Sequence, residues 1–369
     1  MAISTVIPHR MRVSFYPIER IERGAHRGGA DDEDFDPAAL PFALGNEIII
    51  EDISALIPED EFDIYKPGIG SYAYAHLKSF KYALVHRFPE YEINEDTQVI
   101  TPESVLVERS KAIIHETAAC LRLIRPTSQY LHLFEGRIGE DGRFTQIGMD
   151  TPLTHVLDPI NQRNFGFRTK DAVALRRLAP LLRAAMRGEF WKFRMALIMH
   201  EYGCFQNQEW KVKFFLWTTG LESLFTTVDN QGSLVSSERI KFFLGADTLI
   251  YPRGELASIY PDPKLTVTDV IGEIYCLRNH IAHGDRVPNY YFQNPGRPES
   301  LYGSVQIPKY EMLLEAISYI IRASLLKILD DGLISHFRDN VTADAYFGSH
   351  GLTKLDLKKS KKKMPRCPS

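Results

Sequence analysis

The chain has 369 residues, of which 44% are hydrophobic and 25% are charged, and its formal net charge at pH 7 is −3. This size and composition are typical of a globular protein with two domains or one elaborated domain, without an overall basic surface. No run approaches the ~18 consecutive apolar residues that a membrane span requires. The N-terminus lacks the apolar core of a signal peptide, and the four cysteines form no CxxC pair. We therefore expect a cytoplasmic protein without a membrane segment.

Strand and helix patterns are mixed in residues 1–165, which predicts an α+β region. The predicted elements are strands at Arg12–Ile18 and Glu47–Ile50, a helix over Glu103–Leu123, and two strands that bracket the turn Glu140–Gly142. Composition predicts a surface loop over Gly24–Leu40 and a connector over Thr151–Arg168. The role of this region is not evident from its residues. The glycines Gly68 and Gly70 lack a following Lys-Ser/Thr, so a nucleotide-binding loop is not predicted there.

Residues 170–335 show helical periodicity almost throughout, which predicts an all-α bundle. The predicted helices are Asp171–Met186, Glu189–Tyr202, Gln208–Thr227, Ser236–Leu244, Val267–His283 and Lys309–Asp330. The helix Gln208–Thr227 is apolar on nearly all sides, so it should lie at the centre of the bundle. Glu222 within this helix either needs an oppositely charged partner or lies at the solvated rim.

The C-terminal segment 350–369 is rich in lysine, with seven basic residues against Asp356 from Lys354 onward. It has too few apolar residues to build a core, which predicts a disordered basic tail. Such a tail is either a solvated terminus or a weak RNA-binding arm.

The helix Val267–His283 carries the residues best suited to chemistry. Thr266 and Asp269 predict a capping box at its start, and Gly284 predicts a left-handed stop. Arg278 supplies a permanent cation, Asn279 an amide, and His283 an imidazole that exchanges protons near neutral pH. An apolar stripe on this helix should face the core. The opposite side lacks Lys and Glu and is therefore expected to meet a second protein surface or a ligand; it contains Gly272, Tyr275, Cys276, Asn279 and His283.

The motif Arg278-Asn279-x-x-x-His283, followed by Gly284, resembles that of the HEPN superfamily, and of its ApeA-like branch in particular. The helix ending in Trp217-Thr-Thr-Gly-Leu-Glu-Ser-Leu-Phe225 and the intervening Ser237-Glu-Arg-Ile-Lys241 are similar to elements of that branch in the same order. The resemblance covers about Glu189–Gly332 and leaves the first half unexplained. It implies a helical homodimer that acts as a metal-independent endoribonuclease, a hydrolase of RNA, with a composite site from both protomers. ApeA-like proteins are associated with antiviral defence against phage, and toxin action is a related expectation.

The residue types agree with this implied chemistry. His283 would act as base or acid while the RNA 2′-hydroxyl attacks the adjacent phosphate, and Arg278 would stabilise the developing charge. Asn279 would orient the histidine or the phosphate, and Glu222 would hold Arg278 by a bidentate ion pair. Tyr275 and His280 are assigned to the dimer seam or to RNA contact. No cofactor or metal is expected, and the N-terminal region is expected to recognise a trigger or target.

Three other interpretations remain open. Cys276, His280 and His283 share one side of the helix at spacings that could bind zinc, with Asp285 or another group as the fourth ligand. Arg278 and His283 could instead be hydrogen-bonding residues that cap the helix. A HEPN-like fold could also serve as a dimerisation or RNA-binding module without turnover.

Overall fold

The computed structural model describes residues 11–20, 40–45, 47–57, 70–78, 80–93, 99–125, 128–131, 133–139, 144–149, 153–156, 167–204, 209–250, 265–293 and 308–359. These residues form two compact units: the first contains the described residues up to Arg183, and the second contains those from Ala184 onward. The boundary falls inside the helix Thr169–Arg187, later in the chain than the position near 165–170 that we expected.

Antiparallel strands and four helices account for the regular structure of the first unit's described part. The strands are β1 (Met11–Arg20), β2 (Phe42–Ala43), β3 (Ile48–Asp52), β4 (Phe80–Pro89), β5 (Glu92–Ile93), β6 (Ile100–Thr101), β7 (Ser128–Leu131), β8 (Phe134–Ile138), β9 (Phe144–Met149) and β10 (Leu153–Val156). The helices are α1 (Ile53–Leu56), α2 (Ser71–Leu77), α3 (Glu103–Ile124) and α4 (Thr169–Arg187), the last of which crosses the unit boundary. The predicted α+β character is confirmed. Strand β10 replaces part of the connector predicted over Thr151–Arg168, and most of the predicted loop Gly24–Leu40 and the turn Glu140–Gly142 lie outside the described residues.

The main sheet has six strands in the order β2-β3-β4-β1-β8-β9, and every neighbouring pair is antiparallel. The first strand in sequence therefore lies inside the sheet, between β4 and β8. Its Phe15 ring stacks on Phe134 at a centroid distance of 5.2 Å, and both rings are fully buried. Buried alternating side chains of this kind fix the register, because a shift by one residue would expose them.

Two buried polar contacts join α3 to its surroundings in the first unit. Ser110 Oγ on α3 donates to Ser14 Oγ at 2.9 Å and lies 2.8 Å from Nδ1 of His86, which is opposite Ser14 in the sheet. At the end of α3, Arg125 forms a bidentate pair with Asp171, with distances of 2.8 and 3.0 Å. This pair explains why the start of α4 belongs to the first unit, since both side chains are almost fully buried.

The second unit is helical, as the sequence predicts. Its helices after α4 are α5 (Trp191–Gly203), α6 (Trp210–Phe225), α7 (Ser233–Leu244), α8 (Val267–His283), α9 (Lys309–Asp330), α10 (Asn340–Gly348) and α11 (Lys354–Lys359). Helix α6 packs against α5, α7, α8 and α9, which confirms its predicted central position. The bounds of α8 and α9 match those predicted from the sequence.

The segment after α9 is tied to the bundle by a polar network around Asp344. This carboxylate accepts hydrogen bonds from Arg239 Nη2 at 2.9 Å, Thr227 Oγ1 at 2.8 Å and Asn230 Nδ2 at 3.0 Å. The Asn230 side-chain oxygen in turn accepts from the backbone N–H of Lys354 at 2.7 Å. The prediction of a disordered tail from residue 350 is therefore wrong for residues 350–359. These contacts anchor a short helix that the low apolar content of the segment did not indicate. The remainder of the tail lies outside the described residues.

Within the ranges given above, none of the helices combines the length and the apolar character that crossing a membrane would require.

Candidate functional site

Helix α8 begins and ends where its local sequence dictates. The Thr266 hydroxyl accepts from the backbone N–H of Asp269, and the Asp269 carboxylate accepts from the backbone N–H of Thr266, which completes the predicted capping box. At the other end, Gly284 has φ 69°, and the N–H groups of Gly284 and Asp285 bond to the carbonyls of Ile281 and His280. These two bonds form a Schellman motif, which ends the regular helix at His283.

Arg278 is anchored to the central helix α6. Its Nη2 donates to Oε2 of Glu222 at 2.8 Å, and each side chain keeps 24% of its surface exposed. The Arg278 Cζ also lies 5.9 Å from the centroid of the Phe215 ring, two turns before Glu222 on α6. The expected ion pair therefore forms, but it is single rather than bidentate, since Nη1 is directed to Asn279 and Nε has no acceptor among the described residues.

The electrostatics of this pair indicate positioning rather than net stabilisation. Burial raises the pKa of the Glu222 carboxyl, and the charge and hydrogen bond of Arg278 only partly oppose this shift. Desolvation of the carboxylate therefore outweighs its attraction to the guanidinium. The pair forms in spite of the desolvation cost of Glu222. Its structural effect is to fix the direction of the Arg278 guanidinium.

Asn279 connects the Arg278 side to the His283 side of the helix. Its Oδ1 accepts from Arg278 Nη1 at 3.4 Å, and it precedes His283 by four residues, which places the two on the same face. The His283 side chain is exposed and makes no hydrogen bond or ion pair to another side chain in the described parts of the chain. Arg278 and His283 are separated by ~7.5 Å along the helix axis and ~140° around it. The two side chains therefore lie on different faces of α8, and one chain alone does not bring both of them to the same phosphate.

Tyr275 does not lie at a free surface. It is 1% exposed, and its hydroxyl is hydrogen-bonded to Ser236 of α7. Burial, with the charge of Glu222 as the next cause, raises the pKa of the phenol, so Tyr275 stays protonated. Gly272 and Cys276 on the same side of α8 are also buried within this one chain. The prediction of a dimer seam or an RNA contact at Tyr275 is wrong, because α7 covers the face that the sequence left without a partner.

His280 faces the segment that follows the helix. Its ring makes an edge contact with Tyr291 at a centroid distance of 6.3 Å, in a short 3-10 helix at Asn289–Phe292. The neighbouring Glu273 binds Lys309 Nζ at 2.6 Å and accepts from the Tyr290 hydroxyl, so this side of α8 is tied to the start of α9. His280 is thus directed away from Arg278.

The structure contradicts the zinc site considered for α8. Cys276 is disulfide-bonded, so its sulfur cannot serve as a ligand. A different group of metal-binding side chains does come together: His200, Glu201 and Cys204 at the end of α5. This group was not predicted from the sequence, although the i, i+4 spacing of His200 and Cys204 at the end of a predicted helix was an available signal.

No family model, no curated protein and no solved structure matches the chain.

Proposed function

We propose that this protein is a homodimeric RNA endonuclease that cleaves without a catalytic metal, in the manner expected of a HEPN domain. The observation that carries the proposal is the guanidinium of Arg278, which Glu222 and Asn279 hold in place and partly exposed, five residues before the exposed imidazole of His283 on the same helix. A purely structural pair does not require an amide and an imidazole on the adjacent face.

The chemistry follows from what each group can do. The 2′-hydroxyl of RNA attacks the adjacent phosphorus when its proton is removed, and the bond to the 5′-oxygen of the next nucleotide breaks as that oxygen gains a proton. His283 exchanges these protons with the substrate. Arg278 donates N–H groups to the phosphate oxygens as negative charge builds up on them.

A second copy of the chain completes the site. The end of α8 is exposed from Ala282 to Arg286, so a two-fold axis near this end would bring His283 of one copy towards Arg278 of the other. The buried face at Tyr275 takes no part in this contact. The dimer therefore uses the helix end and not the flank of α8. Recognition of the target or trigger is assigned to the first unit.

One observation favours a second candidate function, a dimerisation or RNA-binding module without turnover. The charge of Arg278 is already balanced by Glu222, as it would be in a structural contact between α6 and α8. The two candidates differ in a single measurable property, which is strand cleavage.

The test is incubation of the purified chain with total RNA in excess EDTA, beside the variants His283→Ala and His350→Ala. His350 is an exposed histidine of the same unit and is a matched control. We expect cleavage by the wild type and by His350→Ala, and a loss of at least ~10²-fold in His283→Ala. RNA that is bound but stays intact would support the second candidate, and equal activity of all three proteins would remove His283 from the mechanism.

A further inference from the structure

A compact group of metal-binding side chains lies at the end of α5 and shares no residue with the Arg278 site. Nε2 of His200 is 3.8 Å from Sγ of Cys204, and Nδ1 of His200 is 3.3 Å from Oε1 of Glu201. One ligand atom from each of the three residues lies within 4.8 Å of the others, and the described part of the chain holds no second group of this kind.

The separation of the two inner atoms fits zinc. With Zn–N ~2.0 Å and Zn–S ~2.3 Å, a tetrahedral ion holds its nitrogen and sulfur ligands ~3.5 Å apart. The 3.8 Å between Nε2 and Sγ is close to this value. The Glu201 carboxylate lies near the other ring nitrogen, Nδ1, and has to turn towards Nε2 and Sγ to bind the same ion. Glu201 can make this movement because its side chain keeps 21% of its surface exposed, whereas that of His200 is fully buried.

The backbone that carries these ligands is fixed by packing rather than by the ion. The carbonyl of His200 accepts from Trp217 Nε1 at 3.1 Å. A Cβ on Gly203 would lie 2.2 Å from the same indole nitrogen, so only glycine permits this close approach of α5 and α6. The N–H of Cys204 bonds to the carbonyls of His200 and Glu201, which closes the last turn. A metal site on a backbone that is already ordered requires little reorganisation when the ion binds.

We propose that His200, Glu201 and Cys204 form a zinc site that stabilises the junction of α5 and α6. Binding removes the thiol proton of Cys204 to solvent, and the thiolate and carboxylate then balance the charge of the ion. Water supplies the fourth ligand of a tetrahedral ion. No metal was expected from the sequence, but the new site does not include Arg278 or His283 and is independent of the proposed cleavage.

The experiment uses zinc and cobalt as probes on the full-length wild type and four variants. Zinc affinity is measured by competition with a chromophoric chelator, and cobalt binding by the sulfur-to-cobalt charge-transfer absorption. We expect one zinc per chain in the wild type, a loss of affinity of at least ~10²-fold in Cys204→Ala and His200→Gln, and ~10-fold in Glu201→Gln. Cys120→Ala is the matched control, because Cys120 is a buried free cysteine in the other unit and should leave zinc affinity unchanged.

The wild-type spectrum decides the question even if a core variant fails to fold. A sulfur-to-cobalt band that zinc abolishes supports the site, and its absence overturns the proposal. Unchanged zinc affinity in folded Cys204→Ala also overturns it, because the ion would then be held elsewhere. EDTA should lower the melting temperature while RNA cleavage well below that temperature continues, which separates this site from the catalytic one.

Discussion

Replacing Glu222 with glutamine should separate activity from stability. The substitution keeps the shape of the side chain and one acceptor oxygen for Arg278 Nη2, but it removes the negative charge that fixes the guanidinium. A hydrogen bond to a charged group contributes ~1.5–3 kcal/mol and a neutral one ~0.5–1.5 kcal/mol, so about 1 kcal/mol of contact is lost. Against this, the raised pKa of Glu222 shows that burying its charge is unfavourable, and glutamine removes that cost. The net change in unfolding free energy should therefore stay within about 1 kcal/mol.

The effect on activity should be larger. An arginine side chain has ~2 kcal/mol of rotamer entropy. When the contact with Glu222 is weakened, Arg278 regains part of this freedom and must lose it at each turnover. A barrier higher by ~1–2 kcal/mol corresponds to a fall in cleavage rate of ~5- to 30-fold. The assay is the cleavage rate on a fluorescent RNA, measured together with the urea midpoint of the same sample.

The matched control is Glu273→Gln on the same helix α8. Glu273 is also paired with a cation, Lys309, at 2.6 Å, but it faces the start of α9 instead of Arg278. It should lose some stability and keep its cleavage rate. The reasoning is refuted if Glu222→Gln retains the wild-type rate, or if it loses more than ~3 kcal/mol of stability and so proves to be a structural residue.

Three further predictions concern charges inside the two units. Arg125→Ala should lower the unfolding free energy by ~3–5 kcal/mol, because it leaves the buried Asp171 carboxylate without its cation, and urea denaturation beside the Asp171→Ala partner variant checks this. Asp344→Ala should cost a similar amount by leaving the fully buried Arg239 uncompensated, and a change below ~1 kcal/mol would contradict the account of this network. Burial lowers the pKa of His86, so the unfolded chain binds more protons than the folded one as the pH falls. The contribution of His86 to the free energy of unfolding should therefore be fully present above pH ~6.5 and decline below it. Urea midpoints measured from pH ~7 to ~5 should therefore fall less steeply in His86→Gln, and equal slopes would exclude His86 as the cause.

Local signals explain why much of the helical unit could be predicted from the sequence. The capping box at Thr266 and the left-handed Gly284 define both ends of α8, and each depends on neighbours within a few residues. The partner of Glu222 could also be anticipated, since a carboxylate on an apolar helix needs a cation. Patterns of this kind require no knowledge of which helices pack together.

Non-local packing explains what could not be predicted. The side of α8 around Tyr275 lacks charged residues. This pattern is the same whether a second chain or a neighbouring helix covers that side, so the contact with Ser236 on α7 is visible only in the fold. The position of β1 inside the main sheet likewise depends on pairing with strands far along the chain. The short helix at Lys354–Lys359 forms because Asn230, distant in sequence, binds its first N–H group.

The most direct test of the central claim is the chemistry of the RNA ends. A short RNA with one cleavage site is digested in EDTA, and its products are identified by mass spectrometry beside an otherwise identical RNA that carries a 2′-deoxy nucleotide at that site. If His283 and Arg278 promote attack by the substrate's own 2′-oxygen, the products carry a 2′,3′-cyclic phosphate and a 5′-hydroxyl, and the 2′-deoxy RNA stays intact. Cleavage of the 2′-deoxy RNA, or products that end in a 3′-hydroxyl, would contradict the account.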